Sequence, residues 1–222
     1  MSVSTSASTS TARAQSDQDE VVHPPAHSPA HSPGHHTSTG LSNEKLAMWA
    51  FLGSECLLFG GLISTFLLYR GKTVTDGPTV AELYDIPFTS VSSFVLLMSS
   101  LTMVLALSAI QRGDMARNRV WLLATALLGA TFVAGQVYEF TVFYREGLGF
   151  TTNIQSSAFY VLTGFHGAHV TIGILILGSL FVLSMRGKLP PERSETVEIA
   201  GLYWHFVDIV WVVIFTLVYL IR

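Results

Sequence analysis

Five apolar runs dominate the chain: Leu46 to Tyr69, Phe88 to Ile110, Val120 to Phe143, Ser157 to Met185, and Ile199 to Ile221. At about 1.5 Å of helix per residue, each exceeds the roughly 30 Å hydrocarbon core of a bilayer. A backbone inside hydrocarbon must satisfy its own hydrogen bonds, so runs of this length and frequency leave an all-α bundle of five membrane-spanning helices as the expected fold. The links between them carry glycine, proline and charge, as in RGKTVTDGP, QRGDMARN, YREGLG and RGKLPPERSE. With 50% apolar and 12% charged residues, a soluble globular class is excluded.

Residues 1–44 have a different character. They are rich in Ser, Thr, Pro and His and hold too few aliphatic side chains to offset chain entropy, so a disordered tail is expected before a membrane domain at 45–222. The tail lacks the basic start and apolar core of a secretory signal, and with Arg13 as its only basic residue before Lys45 it makes a poor transit peptide. His23, His27, His31, His35 and His36 invite a metal reading, but Pro24, Pro25, Pro29 and Pro33 break the helix that would align them. A formal charge of −3 gives no reason to expect a nucleic-acid partner. The single cysteine, Cys56, excludes an intrachain disulfide.

Basic residues near the span ends set the orientation. Lys45, Arg112, Arg117, Arg119, Arg186, Lys188 and Arg193 fall on one side, and Arg70, Lys72, Arg145 and Arg222 on the other, seven against four. The positive-inside rule then makes the N-terminus cytoplasmic and the C-terminus external.

Ionisable groups within the spans carry the functional signal, because they are costly in lipid and face protein, water or each other. They are Glu55, Glu139, His166, His169, His205 and Asp208. His166 and His169 share one face of the fourth run with Gly173, while Gly164, Gly167, Ala168 and Thr171 form a nearly opposite face where another backbone can approach closely. That two-faced helix is expected at the centre of the bundle. In the last run, Trp204, His205, Asp208, Trp211, Phe215 and Tyr219 make a protein-facing side, and Phe206, Val210, Val213 and Leu217 a lipid-facing one. His205 and Asp208, three apart, can pair.

Counting residues from the cytoplasmic end puts Glu55, His169 and Asp208 near one depth, whereas Glu139 reaches the outer interface, where it could be solvated. Glu55 projects among bulky apolar groups, opposite a small face of Gly53, Gly60 and Ser64. Without a basic partner, burial favours its neutral form; if His169 reaches it, the two share a proton. The plainest alternative is interhelical glue, each polar group fixing register for about a kilocalorie per mole or less. A metal reading rests on His166-x-x-His169, His205-x-x-Asp208 and Glu55, but the repeated Glu-x-x-His of metal-binding bundles is missing.

The runs GSECLLFGG, FYVLTGFHGAHVTIG and YWHFVDIVWVVIFTLVYL, in this order and at these separations, resemble subunit III of the haem-copper terminal oxidases over Lys45 to Arg222. The resemblance implies a five-helix bacterial form of an accessory subunit in the cytoplasmic (inner) membrane. Such a subunit has no redox centre of its own and packs against catalytic subunit I, alongside subunit II and other respiratory-complex subunits. Haem and copper then reside in the partners, and structural phospholipid and the surrounding membrane lipids are the ligands implied for this chain.

By motif position, the resemblance aligns Glu55 with the family's embedded glutamate and His166 and His169 with its histidine pair. It aligns Glu139 with its Tyr-Glu element, and His205 and Asp208 with its last-helix signature. The function implied is stabilisation of the catalytic subunit and support of proton uptake from the cytoplasmic side, in a cytochrome c oxidase that reduces O2 to water and translocates protons. Quinol oxidases and nitric oxide reductase accessory proteins share the pattern. A small proton channel or transporter is the alternative of another class, disfavoured because the five spans show no inverted repeat.

Overall fold

A computed structural model describes residues 42–72 and 78–221. Most of the expected tail with its histidines, and Arg222 of the orientation count, lie outside the described residues. Five long helices run through the rest: α1 (Asn43–Arg70), α2 (Ile86–Gln111), α3 (Met115–Arg145), α4 (Ile154–Met185) and α5 (Ser194–Phe215). All are long and apolar enough to cross a membrane, the last counted together with the short turns that flank it. Short 3-10 turns at Val80–Glu82 and Pro191–Arg193 precede α2 and α5, and a π-helical turn, Thr216–Leu220, closes the chain.

The helix ends follow from local chemistry. Ser42, Asp85, Asp114 and Asn153 each accept from a backbone N–H in the first turn of the helix they precede. Gly113, Gly147 and Gly187 follow the last residues of α2, α3 and α4 at φ of 75°, 88° and 68°. That left-handed backbone lets the next N–H reach back five residues, as in Asp114 N to Ala109 O, Leu148 N to Phe143 O and Lys188 N to Leu183 O. The Arg-Gly and Glu-Gly pairs of the loops are therefore helix stops.

Four helices form a ring, α2 against α3, α3 against α4, α4 against α5 and α5 against α2, and α1 leans on it from outside across α4 and α5. Lys45 Nζ lies 2.9 Å from a Glu198 carboxylate oxygen and Ser42 Oγ hydrogen-bonds Glu195, so α1 and α5 begin at the same end. At the other end Arg70 donates to Leu217 O at 2.8 Å.

The most enclosed helix is α5, not α4 as expected. Half of its most apolar stretch is buried, against 28% for α4 and 17% for α1. The reason is that α1 covers the flank of α5 that a helical wheel assigns to lipid: Val213 is exposed, but Val210 is buried and Phe206 and Leu217 are partly so. The close-packing face expected on α4 closes only at Gly167, where a Cβ would meet Gln136 Oε1 at 2.5 Å; Gly164 has open space and Ala168 is exposed. Comparably tight approaches involve Trp204, whose indole lies 2.5 Å from a Cβ built at Gly129 of α3 and 2.8 Å from one built at Gly173 of α4. Only glycine on both neighbours leaves room for that ring.

Candidate functional site

The embedded polar groups separate into two regions. The first is a seam where α2 supplies hydroxyls to α5. Ser93 Oγ accepts from Trp211 Nε1 at 2.8 Å, Ser99 Oγ accepts from Trp204 Nε1 at 3.0 Å, and Ser100 Oγ donates to Asp208 Oδ2 at 2.6 Å. Glu139 of α3 closes the seam at one end, accepting from Thr89 Oγ1 at 3.0 Å and from the Tyr219 hydroxyl at 3.2 Å.

Two expectations fail here. Glu139 is buried and satisfied, not solvated at an interface, because α2 and the final π turn fold over it. Asp208 takes its hydrogen bond from Ser100, and no hydrogen bond or ion pair joins it to His205, which stays half-buried with only a longer-range electrostatic interaction with Asp208. Helical spacing of three puts the two on one face but leaves the direction of each side chain to its neighbours.

His166 belongs to the seam by packing. Its ring stacks on Trp211, centroids 4.9 Å apart and 24° between planes, with Phe132 edge-on at 5.9 Å. It is fully buried and neither ring nitrogen has a hydrogen-bond partner. Its aromatic face fills the core, as a buried phenylalanine would.

The second region is the contact between α1 and α4. His169 Nε2 lies 3.1 Å from Glu55 Oε2, each side chain 13% exposed, so the predicted depth match brings these two together while Asp208 faces the seam. The contact is set by distance; its direction is not that of a hydrogen bond, and Oε2 has no other. His169 Nδ1 sits 2.7 Å from Phe165 O, which can only accept, so Nδ1 carries the hydrogen. Nε2 is then the ring nitrogen that faces Glu55 Oε2. Phe59 walls the pair, its ring 5.1 Å from that of His169.

Among the described residues no three His, Cys, Asp or Glu side chains converge: His166 is enclosed by aromatic rings, and His169 is turned to its own helix and to Glu55. The groups that sequence reasoning missed are the serines of α2; Tyr219 was read on the protein-facing side but without its carboxylate partner. A signal for the serines existed: Ser93 and Ser100, like Trp204 and Trp211, are seven residues apart, the repeat of two facing helices.

The family model for cytochrome c oxidase subunit III matches residues 27–221. The chain is 41% identical over 178 residues to cytochrome c oxidase subunit 3 of Bacillus sp. strain PS3, covering 80% of this chain and 86% of the relative. It is 42% identical over 176 residues to quinol oxidase subunit 3 of Bacillus subtilis strain 168, covering 79% and 85%. Cytochrome c oxidase subunit 3 of Synechocystis is 42% identical over 175 residues, covering 77% and 72%. With a family model spanning most of its length and relatives this similar, the chain belongs to the cytochrome c oxidase subunit III family and is a multi-pass subunit III of a haem-copper oxidase complex.

Proposed function

We propose that this subunit is a non-redox accessory partner of catalytic subunit I and of subunit II in an oxidase that draws electrons from cytochrome c. It lies in the bacterial cytoplasmic membrane with its N-terminus inside, stabilises subunit I and supports proton uptake from the cytoplasmic side. Haem and copper belong to its partners. The observation that supports this reading is the disposition of its donors: among the described residues the histidines and carboxylates of the spans are dispersed, except that His169 Nε2 faces Glu55 Oε2 at 3.1 Å. The pair sits on the flank of the least covered helix, where a neighbouring subunit or water can reach it.

The choice of donor rests on the family description, since relatives named for cytochrome c and for quinol are equally similar. The test is a mild-detergent pull-down through a C-terminal tag, followed by a visible spectrum and oxygen uptake with reduced cytochrome c and with quinol. Co-eluting haem subunits that turn over with cytochrome c are expected. Turnover with quinol alone would reassign the donor, and a lone chain from oxidase-containing membranes would overturn the accessory role.

A further inference from the structure

An imidazole in the middle of a membrane has to face something. The apolar stretch that contains α5 runs from Pro191 to Leu220, 30 residues, and His205 stands halfway along it. At about 1.5 Å per residue that is roughly 20 Å from either end, inside the hydrocarbon and away from bulk water. The chain itself does not engage the ring. Tyr203 and Trp204 turn inward and are buried, whereas His205 is half-buried. Ser100 of α2 donates to Asp208 Oδ2, and among the described residues no hydrogen bond or ion pair reaches His205, which has only its electrostatic interaction with Asp208. Asp208 Oδ1 is buried and has no hydrogen-bond partner either. A seam that satisfies its tryptophans and serines thus leaves an imidazole unanswered at mid-depth.

The ring lies at the edge of the contact between α2 and α5. One turn before it, a Cβ on Gly201 would meet Met103 of α2 at 3.2 Å, and one turn after it comes the bond from Ser100, so α2 passes close on that side. The other side is open among the described residues. Ile209 and Val212, which follow His205 on the same helical face, are 63% and 42% exposed, and Leu97 and Val104, one turn either side of Ser100 on α2, are 40% and 50% exposed. The outer surface between the two helices is therefore an apolar strip with one imidazole set in it. Lipid tails cover apolar side chains as well as another helix does, but they offer an imidazole no hydrogen bond.

Asp208 narrows what can answer. A carboxylate brought to His205 would meet Asp208 on the same face, and a lysine or arginine could not reach the buried Oδ1 and would keep its charge unpaired in hydrocarbon. A neutral imidazole presents one N–H and one acceptor nitrogen, and a hydroxyl or a carboxamide can answer either. We infer that the outer face between α2 and α5 is where a transmembrane helix of another oxidase subunit docks, presenting a hydroxyl or carboxamide side chain to His205 at mid-membrane depth.

The inference rests on the chain working within an assembled oxidase, and the test reads the two separately. In a Cys56→Ser background, which removes the exposed native thiol, Leu97→Cys and Val212→Cys each carry a photoreactive benzophenone maleimide. The complex is illuminated in the membrane and purified intact, and its cross-linked peptides are identified by mass spectrometry while haem reports assembly. Both positions are expected to label one transmembrane segment of another subunit, with a hydroxyl or carboxamide residue at the depth of His205. Labels confined to lipid or to a second copy of this chain, in complex that contains haem, overturn the inference and leave the subunit reading standing. A chain that purifies without haem overturns both.

Detergent titration of the complex tests the hydrogen bond on its own. On the usual scale of interhelical polar contacts, His205→Leu should release the labelled partner about three- to fifteenfold more readily than wild type, while His205→Gln, which keeps a donor and an acceptor, should hold it. Equal retention in all three overturns the contact. Should His205→Leu not assemble, the cross-links from Leu97→Cys and Val212→Cys, made with His205 in place, decide the matter.

Discussion

The seam between α2 and α5 and the contact between α1 and α4 hold similar polar side chains in opposite circumstances. In the seam nearly every group has a neutral partner and is enclosed by bulky rings: Trp204 and Trp211 on serines, Glu139 on a threonine and a tyrosine. At the contact, one carboxylate and one imidazole face each other on the flank of the least buried helix. A network closed on all sides has one stable arrangement and serves packing. A pair that is open on one side can change its protonation without unpacking a core. On the proposed function the seam is architecture and the contact is where protonation changes, a division that can be broken at either end.

The largest effect is expected at Trp204. Its ring fills the space between Gly129 and Gly173 and its N–H is satisfied by Ser99, so Trp204→Ala leaves a cavity and removes the donor to Ser99 Oγ, which keeps its own bond to Leu96 O. A loss of about 3–5 kcal/mol is the usual scale for such a truncation. Gly173→Ala attacks the same place from the other side, placing a methyl 2.8 Å from the ring, at about 1–3 kcal/mol for overpacking. Both should lower the temperature at which this subunit dissociates from the purified complex. An unchanged temperature for Trp204→Ala would mean that α5 is not held by the seam.

Next is Glu139. Leucine there removes the acceptor of the buried Tyr219 hydroxyl, while Thr89 keeps its bond to Asp85 O, at about 1–3 kcal/mol by the same measurement, whereas glutamine keeps an acceptor and should cost less. If Glu139→Leu and Glu139→Gln were equal and turnover fell in both with the subunit retained, the carboxylate would belong with the chemistry and the division would fail.

What could be read in advance divides along the same line. The five helices were legible because hydrocarbon thickness imposes a minimum length that little else in a sequence mimics, and their stops because Gly113, Gly147 and Gly187 mark left-handed turns. Helical spacing also placed Glu55 and His169 at one depth. It left the partners of Asp208 and Glu139 unread because a wheel fixes a face but not its neighbour, and the deciding partners, Ser100, Thr89 and Tyr219, look like ordinary polar residues one at a time. The enclosure of α5 was hidden for a related reason. In a membrane, buried and lipid-facing sides are equally apolar, so composition does not distinguish the flank covered by α1.

The smallest effect on stability, and the sharpest test of the contact, is expected at Glu55 and His169. Each side chain is partly exposed, and interhelical polar contacts in membranes average well under about 1 kcal/mol, so Glu55→Gln and His169→Ala should leave dissociation of the subunit almost unmoved. The signature is spectroscopic. The carboxyl stretching band that disappears in Glu55→Gln should shift in His169→Ala, because Nε2 is the group facing Oε2, and should not move in Ser100→Ala, which acts on Asp208 across α5. Turnover under low proton supply on the cytoplasmic side should fall in both pair variants by similar factors, and their double variant should fall no further, since either change removes the same proton partner. Additive losses would mean that Glu55 and His169 act apart, and the contact would then be packing like the rest.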